Sequence, residues 1–412
     1  MSGGVLFYLS LLGYVAFLVA SVYFCVLADP DDSPLARFLT ETIPRKAWLL
    51  LERCLGPKSL SVVGFFLDRL MMLFYCVVVF GSWAIIFSHV YKWLDEQDYV
   101  SPIHKYFGYA VFGLCFTSWR WAFKTSPGII TAKNIHRYDH FPYDDIMFVP
   151  GRVCPTRNIP RLARSKFDRY KYNENVPRFD HYCGWVHNTI GEENYRWFLL
   201  FLLVHVGMCA YGTYVIGHLY YGEILDKRLL EVTFFDRYSG EELKATKWII
   251  FQYLFNARLM VSAVFAIMSV MTVALGLFLL YHAWMTSRGL TTNESYKWEQ
   301  VKKWYKRELK RYEKAVQNGE IDPVTGRPLQ SSSKKSSTSR PIVTDGDVTC
   351  TSGDGPDPVP TGDAKYDEED EDPIAHPGPP PVNIYNRGLL ENWKEVIFPL
   401  SLRKVKSKSK AT

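Results

Sequence analysis

Arg178-Phe179-Asp180-His181-Tyr182-Cys183-Gly184-Trp185-Val186-His187-Asn188 is a polar run that stops shortly before a long apolar segment opening at Trp197. Within it stand a carboxylate (Asp180), an imidazole (His181) and a thiol (Cys183), the parts of an activated nucleophile. Cysteine attacks as thiolate, a neighbouring imidazole takes its proton, and a carboxylate fixes the imidazole's tautomer and stabilises its charged form. Three such residues also fall together by chance, so the flanking chain decides what the run means.

Hydrophobic residues make up 48% of the 412 positions and are clumped into long runs, the distribution of a membrane protein. The net charge of +6 is modest, and its lysines and arginines crowd particular loops, a placement that suits a membrane and not a nucleic acid. The cysteines at 25, 54, 76, 115, 154, 183, 209 and 350 show no paired spacing, so no disulfide framework is expected. No basic n-region precedes the first apolar run, which therefore reads as a retained helix rather than a removed signal peptide.

These runs predict an all-α integral membrane protein with about five transmembrane helices. Residues 1–123 hold three N-terminal spans (Gly4–Leu27, about Leu70–Tyr91, and about Tyr106–Phe123 with Arg120 near its end) and a basic loop between the first two, whose part from Pro44 to Leu60 reads as interfacial. Residues 124–196 form a polar, basic block containing the opening run, and 197–285 hold two more spans, Trp197 to about Tyr221 and about Ala257–Met285. The basic loops fall on one side, which makes the N-terminus non-cytosolic and the block and C-terminus cytosolic.

In 286–316, Trp298, Val301, Tyr305, Leu309 and Tyr312 recur at helical spacing among lysines and arginines, as in a basic amphipathic helix lying on an anionic leaflet; a solvated coiled-coil segment is the alternative. Residues 317–382 are too polar and Pro/Gly-rich to order themselves, and 383–412 regain an apolar patch that is expected to dock on the body. The lysines of Lys408-Ser409-Lys410-Ala411-Thr412 fit a dilysine-type retrieval signal read by coatomer, and equally a generic polybasic tail.

The opening run, followed by Ile190-Gly191 and Asn194-Tyr195-Arg196-Trp197-Phe198, resembles the core of the DHHC family of protein S-acyltransferases (palmitoyltransferases). Further pieces match in order: Ser126-Pro127-Gly128 for the family's Asp-Pro-Gly, Thr291-Thr292-Asn293-Glu294 for its Thr-Thr-x-Glu, and Asn383-Ile384-Tyr385-Asn386-Arg387-Gly388 with Asn392 and Glu395 for its C-terminal aromatic motif. The resemblance implies a cytosolic catalytic domain and transfer of a long-chain acyl group from acyl-CoA to cysteines of membrane-associated proteins, through an acyl-enzyme on Cys183 with His181 and Asp180 assisting. A catalytically dead scaffold is the rival reading. The dilysine-type ending leads to the expectation of residence in the endoplasmic reticulum membrane or the Golgi. Arg161, Arg164, Lys166 and Arg178 are candidates for CoA phosphates, although a basic loop is also the ordinary positive-inside signal.

The departures concern metal. The family's block holds two structural zinc ions, and by this resemblance Cys154 keeps the first ligand position. The other positions fall on Arg157, Phe167, Asp168, Lys171, Glu174 or a neighbour, Tyr182 and Thr189. A tetrahedral zinc site needs about four Cys, His or carboxylate ligands, so no bound metal is expected. His187 reads as a turn residue rather than a catalytic one, and His205 as a packing residue rather than a proton relay.

Overall fold

The structure, a computed structural model, describes Phe38 and residues 42–235, 240–322 and 376–403. The predicted first span, most of the 317–382 linker and the terminal lysines lie outside the described residues. The chain divides into two units, Met1–Leu73 and Phe74–Thr412.

In the first unit the described backbone is helical from Ile43, the start of α1 (Ile43–Ile85). The Pro44–Leu60 stretch, expected to be an interfacial loop, is therefore part of a continuous helix. Pro44 falls in the first turn, where its missing N–H leaves no bond unmade. Near the end of this unit Arg69 stacks 3.6 Å from the Phe65 ring centroid and donates to the Phe65 carbonyl at 3.1 Å.

In the second unit α1 passes through a π-helical turn (Ile86–Val90) into α2 (Tyr91–Asp95), and α3 (His104–Lys124) follows. After a short α4 (Ile135–Tyr138) and the polar block come α5 (Tyr195–Asp226), α6 (Lys247–Ala257) and α7 (Leu259–Ser287). Among the described residues, three helical stretches are long and apolar enough to cross a membrane: Arg69–Asp95, Tyr195–Asp226 and Leu259–Ser287. The protein is accordingly a mostly helical integral membrane protein. Helix α3 packs on α5, and α5 packs along α7. One core of these helices gathers Trp83, Val90, Leu94, Cys115, Ile216, Leu219 and Val264.

The polar block departs from the all-α expectation. Its chain is too rich in Pro, Gly and Asn for helices and folds into two hairpins. Strand β1 (Lys166–Asp168) pairs antiparallel with β2 (Glu174–Val176), and β3 (His181–Cys183) with β4 (Asn188–Ile190), placing Tyr182 opposite Thr189. A third hairpin, β5 (Thr233–Phe235) with β6 (Glu242–Lys244), lies in the connection after α5.

Helix α8 (Thr292–Gln317) begins with a reciprocal cap: the Thr291 hydroxyl accepts the Glu294 N–H, and the Glu294 carboxylate accepts the Thr291 N–H. Its apolar stripe is not left for a lipid surface. Trp298 and Val301 are buried against Phe141, Phe148 and Tyr385, and the Tyr305 hydroxyl donates to the Gly378 carbonyl at 3.1 Å. The leaflet-lying reading is corrected to this extent: the stripe had aromatic partners in the block and in the returning tail. That tail forms α9 (Leu389–Ile397), whose Asn392, Glu395 and Val396 are buried.

Candidate active site

Strand periodicity assembles the opening run. Side chains alternate faces along β3, so His181 and Cys183 share one face and Tyr182 points to the other. His181 Nδ1 lies 2.6 Å from Asp180 Oδ2, leaving Nε2 as the ring's free end, and the imidazole is hydrogen-bonded to Cys183. Asp180 accepts two further bonds, from the Thr292 N–H and the Thr292 hydroxyl, each at 2.8 Å. Thr292 is the first residue of α8, so a helix N-terminus, with its positive dipole end, points at the carboxylate. Cys183 is buried with Phe198, Leu202, Trp119 and Leu279 around it.

The electrostatics follow from these contacts. Burial pushes the Asp180 carboxyl up, but the His181 hydrogen bond and charge, His282 and the Thr292 N–H outweigh it and bring it to about 2. Burial likewise opposes a charge on His181, yet the bonds to Asp180 and Cys183 raise its imidazole to about 10. At neutral pH His181 is thus an imidazolium paired with the Asp180 carboxylate.

A buried ion cluster holds this site to the rest of the chain. Arg164 donates to both Glu294 oxygens (2.6 and 2.7 Å), to Glu395 (3.1 Å) and to the Gly289 carbonyl (2.9 Å), with its side chain 0% exposed. Arg178 pairs with the same Glu395 oxygen at 3.1 Å. Arg164 and Arg178 both adopt positive φ (63° and 42°), a strained conformation for residues with a Cβ that the four-member cluster sustains. Gly289, at φ 65°, has no such freedom to change, since a Cβ there would stand 2.5 Å from the Tyr385 carbonyl oxygen.

The DHHC palmitoyltransferase family model matches residues 148–299, a range that takes in the block from Phe148 onward, α5 to α7 and the α8 cap. Over this range the chain is similar to the DHHC-type protein S-acyltransferases. It is 29% identical over 364 residues to palmitoyltransferase SWF1 of Yarrowia lipolytica, covering 83% of this chain and 84% of that protein. It is 31% identical over 182 residues to palmitoyltransferase ZDHHC4 of Mus musculus (43% of this chain, 52% of that one) and 31% over 185 residues to palmitoyltransferase swf1 of Schizosaccharomyces pombe (44% and 46%). The chain thus spans most of the first relative and about half of the other two.

As a DHHC domain the block is unusual at the positions of the family's zinc ligands. Asp168, fully buried, accepts the Tyr170 N–H, the Tyr172 N–H and the Thr189 hydroxyl at 3.0, 3.0 and 2.9 Å. Lys171 reaches the His187 carbonyl at 2.8 Å, and the Tyr182 hydroxyl lies 2.7 Å from His187 Nδ1. Tyr182 also stacks on Tyr170 with ring centroids 5.1 Å apart. On the other side Arg157 pairs with Glu174 at 2.9 Å, and Cys154 is buried beside Ile159, Leu162 and Phe167. These groups do not fit zinc: Asp168 already has its oxygens occupied by N–H and O–H donors, and the neighbours are cations, phenols and hydrocarbon. Among the described residues no group of His, Cys, Asp and Glu is arranged to hold a metal ion.

The site corrects the phosphate candidates. Arg164 and Arg178 are buried and given to carboxylates, so neither presents itself to a CoA phosphate. Lys166 is half-buried, 3.4 Å from Asn293 Oδ1 at the start of α8. His187 sits at φ 44° in the turn after β3, and His205 bonds the Tyr75 hydroxyl at 2.7 Å and the Phe201 carbonyl at 2.8 Å, a packing role in each case. Sequence reasoning did not single out Tyr195 or His282, whose hydroxyl and Nδ1 are 2.9 Å apart behind His181. Neither is marked by spacing, because their meeting depends on how α5 packs on α7.

Proposed function

We propose that this protein moves a long-chain fatty acyl group from acyl-CoA to cysteine thiols of membrane-associated proteins through an acyl-enzyme on Cys183. The observation that carries the reading is the continuous chain Thr292–Asp180–His181–Cys183, which serves no packing purpose that a non-polar set would not serve better. In the first step the Cys183 thiolate attacks the thioester carbonyl carbon, the carbon–sulfur bond to CoA breaks, and His181 returns the proton to the departing CoA thiolate. In the second step a substrate thiol gives its proton to His181 and attacks the acyl-Cys183 thioester, regenerating the Cys183 thiolate paired with the imidazolium. The summed reaction leaves CoA thiol and an S-acylated protein.

The apolar residues around Cys183 support the acyl chain's placement. Phe198, Phe201, Leu202, Trp119 and Leu275 continue from the sulfur into the helices, and each buried methylene contributes about 0.8 kcal/mol. Lys166, beside Asn293, and Arg161 are the remaining two of the four candidates for the CoA phosphates. In the finer reading the chain has about five spans, with the N-terminus non-cytosolic and the block, α8 and C-terminus cytosolic, and residues 383–403 dock the tail. The block is held without zinc, by Asp168 and its donors and by the Arg157–Glu174 pair.

The test is to incubate the purified protein with a labelled acyl-CoA and follow a hydroxylamine-sensitive label that disappears in Cys183→Ser. An unlabelled wild type would leave the scaffold reading in its place.

A further inference from the structure

His282 takes no part in the two steps above, yet it is buried at the heart of the site. It is 1% exposed near the end of α7, and its Nδ1 lies 2.9 Å from the hydroxyl of Tyr195, itself 1% exposed in the first turn of α5. Its ring centroid is 5.9 Å from that of His181, and both imidazoles stand edge-on to Phe198 at 5.1 Å. An imidazole in such surroundings costs desolvation that a leucine would not. Its retention calls for a reason beyond filling space.

The geometry of His181 supplies one. The Cβ–Cγ tether and the hydrogen bond from Nδ1 to Asp180 still leave the ring a coupled swing about χ1 and χ2, which carries Nε2 away from Cys183. Phe198 and His282 together close off that rotation. Tyr195 makes the wall rigid: its hydroxyl holds His282, and the Arg178 guanidinium lies 5.6 Å over its ring. We propose that His282, clamped by Tyr195, is a positioning residue that fixes the plane of the His181 imidazole toward Cys183. The proposal rests on the acyl-enzyme reading of Cys183.

The titratable and charged groups facing His282 are Asp180 and His181 from the β3 edge, Tyr195 from α5, Arg178 behind Tyr195, and Tyr281 on its own helix, with ring centroids 5.9 Å apart. One carboxylate thus stands against two imidazoles, and it is His181 that Asp180 touches. A loosened His181 no longer shares the thiol's proton, so attack then waits for thiolate made by the solution.

The experiment is single-turnover acylation of the full-length chain in detergent with labelled acyl-CoA, across the neutral pH range, for wild type, His282→Leu, His282→Asn and Tyr195→Phe. His282→Leu is expected to slow acylation by about 10- to 100-fold at unchanged KM for acyl-CoA, with the pH–rate profile displaced to higher pH. His282→Asn, which keeps a polar partner for Tyr195, should recover most of the rate. Tyr195→Phe removes only a hydroxyl and should show the same alkaline displacement with a smaller loss; it carries the test if the leucine variant does not fold. Wild-type rate and profile in the Leu and Phe variants overturn the proposal, and so do equal losses in Leu and Asn with an unmoved profile, the mark of packing alone. An unlabelled wild type sinks the acyl-enzyme reading and this proposal together, whereas a labelled wild type with unmoved variants sinks this one by itself.

Discussion

Asp180→Asn is the sharpest perturbation of the site, because it removes one charge and almost no volume. The substituted asparagine can still accept the Thr292 N–H, but its amide now faces His181 Nδ1, so the imidazole turns to the tautomer that carries its proton on Nε2 and cannot accept from Cys183. The rise of the His181 imidazole from 6.5 to about 10 corresponds, at 1.36 kcal/mol per pH unit, to about 5 kcal/mol favouring its charged form. Loss of the carboxylate and the wrong tautomer together are expected to slow acylation by about 10²- to 10⁴-fold. Single-turnover acylation of detergent-solubilised protein by labelled acyl-CoA measures it, with a thermal melt to show that the variant is folded. A folded Asp180→Asn protein within about threefold of wild type would refute the assignment of Asp180 and with it the ion-pair account of Cys183.

Three further outcomes follow from the same contacts. Glu395→Gln leaves Arg164 and Arg178 under-compensated in a fully buried cluster and should destabilise the fold by about 3–5 kcal/mol, read by denaturant or thermal unfolding, whereas a conservative change at exposed Glu391 should not. Purification in a strong chelator should leave the melting temperature and acylation unchanged, while Asp168→Asn, which weakens acceptance from the buried donors of Tyr170, Tyr172 and Thr189, should cost about 1–3 kcal/mol; stoichiometric zinc by elemental analysis would contradict this. The pH dependence of stability has a sign at each end. Asp180, lowered to about 2, and Glu192, also lowered, stabilise above the ordinary carboxylate range and cease to as pH falls; His181, raised to about 10, stabilises fully below 6.5 and loses this as pH rises through about 10, so melting temperatures should decline on both sides of a plateau near pH 4.5–6.5.

Much of the site was legible because its parts are adjacent in the chain. Asp180, His181 and Cys183 lie within four positions, and the period of a strand is enough to put the imidazole and thiol on one face. The α8 cap was legible too, since Thr291 and Glu294 satisfy each other over one turn. What local pattern does not contain is the partner of a residue far away in sequence. Arg164 read as a phosphate ligand because a basic loop looks solvated, and only the fold brings Glu294 and Glu395 to it. The α8 stripe read as lipid-facing for the same reason: Phe141, Phe148 and Tyr385 come from two distant segments. The unseen continuation of α1 to Ile43 has another cause, for basic residues interleaved with Trp48 and leucines suit a helix and an interfacial loop alike.

The metal positions bring these points together. Strands of three residues, as in β1 to β4, are marginal in isolation, and a structural zinc ordinarily supplies the folding energy that such hairpins lack. Here the equivalent places are joined by shorter-range contacts: Asp168 ties β1 to the Tyr170–Tyr172 turn and to β4, and Arg157 ties the preceding loop to β2. Those contacts hold each hairpin but do not orient β3 against α8. That task falls to Arg164, which leaves the loop just before β1 and reaches Glu294 and Glu395, and to Thr292, which meets Asp180. With Asp168 and Arg157 at those places, the geometry of the nucleophile depends on the docked tail, and shortening the chain before Asn383 should disorganise His181 and Cys183 even though the tail supplies no member of the Thr292–Asp180–His181–Cys183 chain.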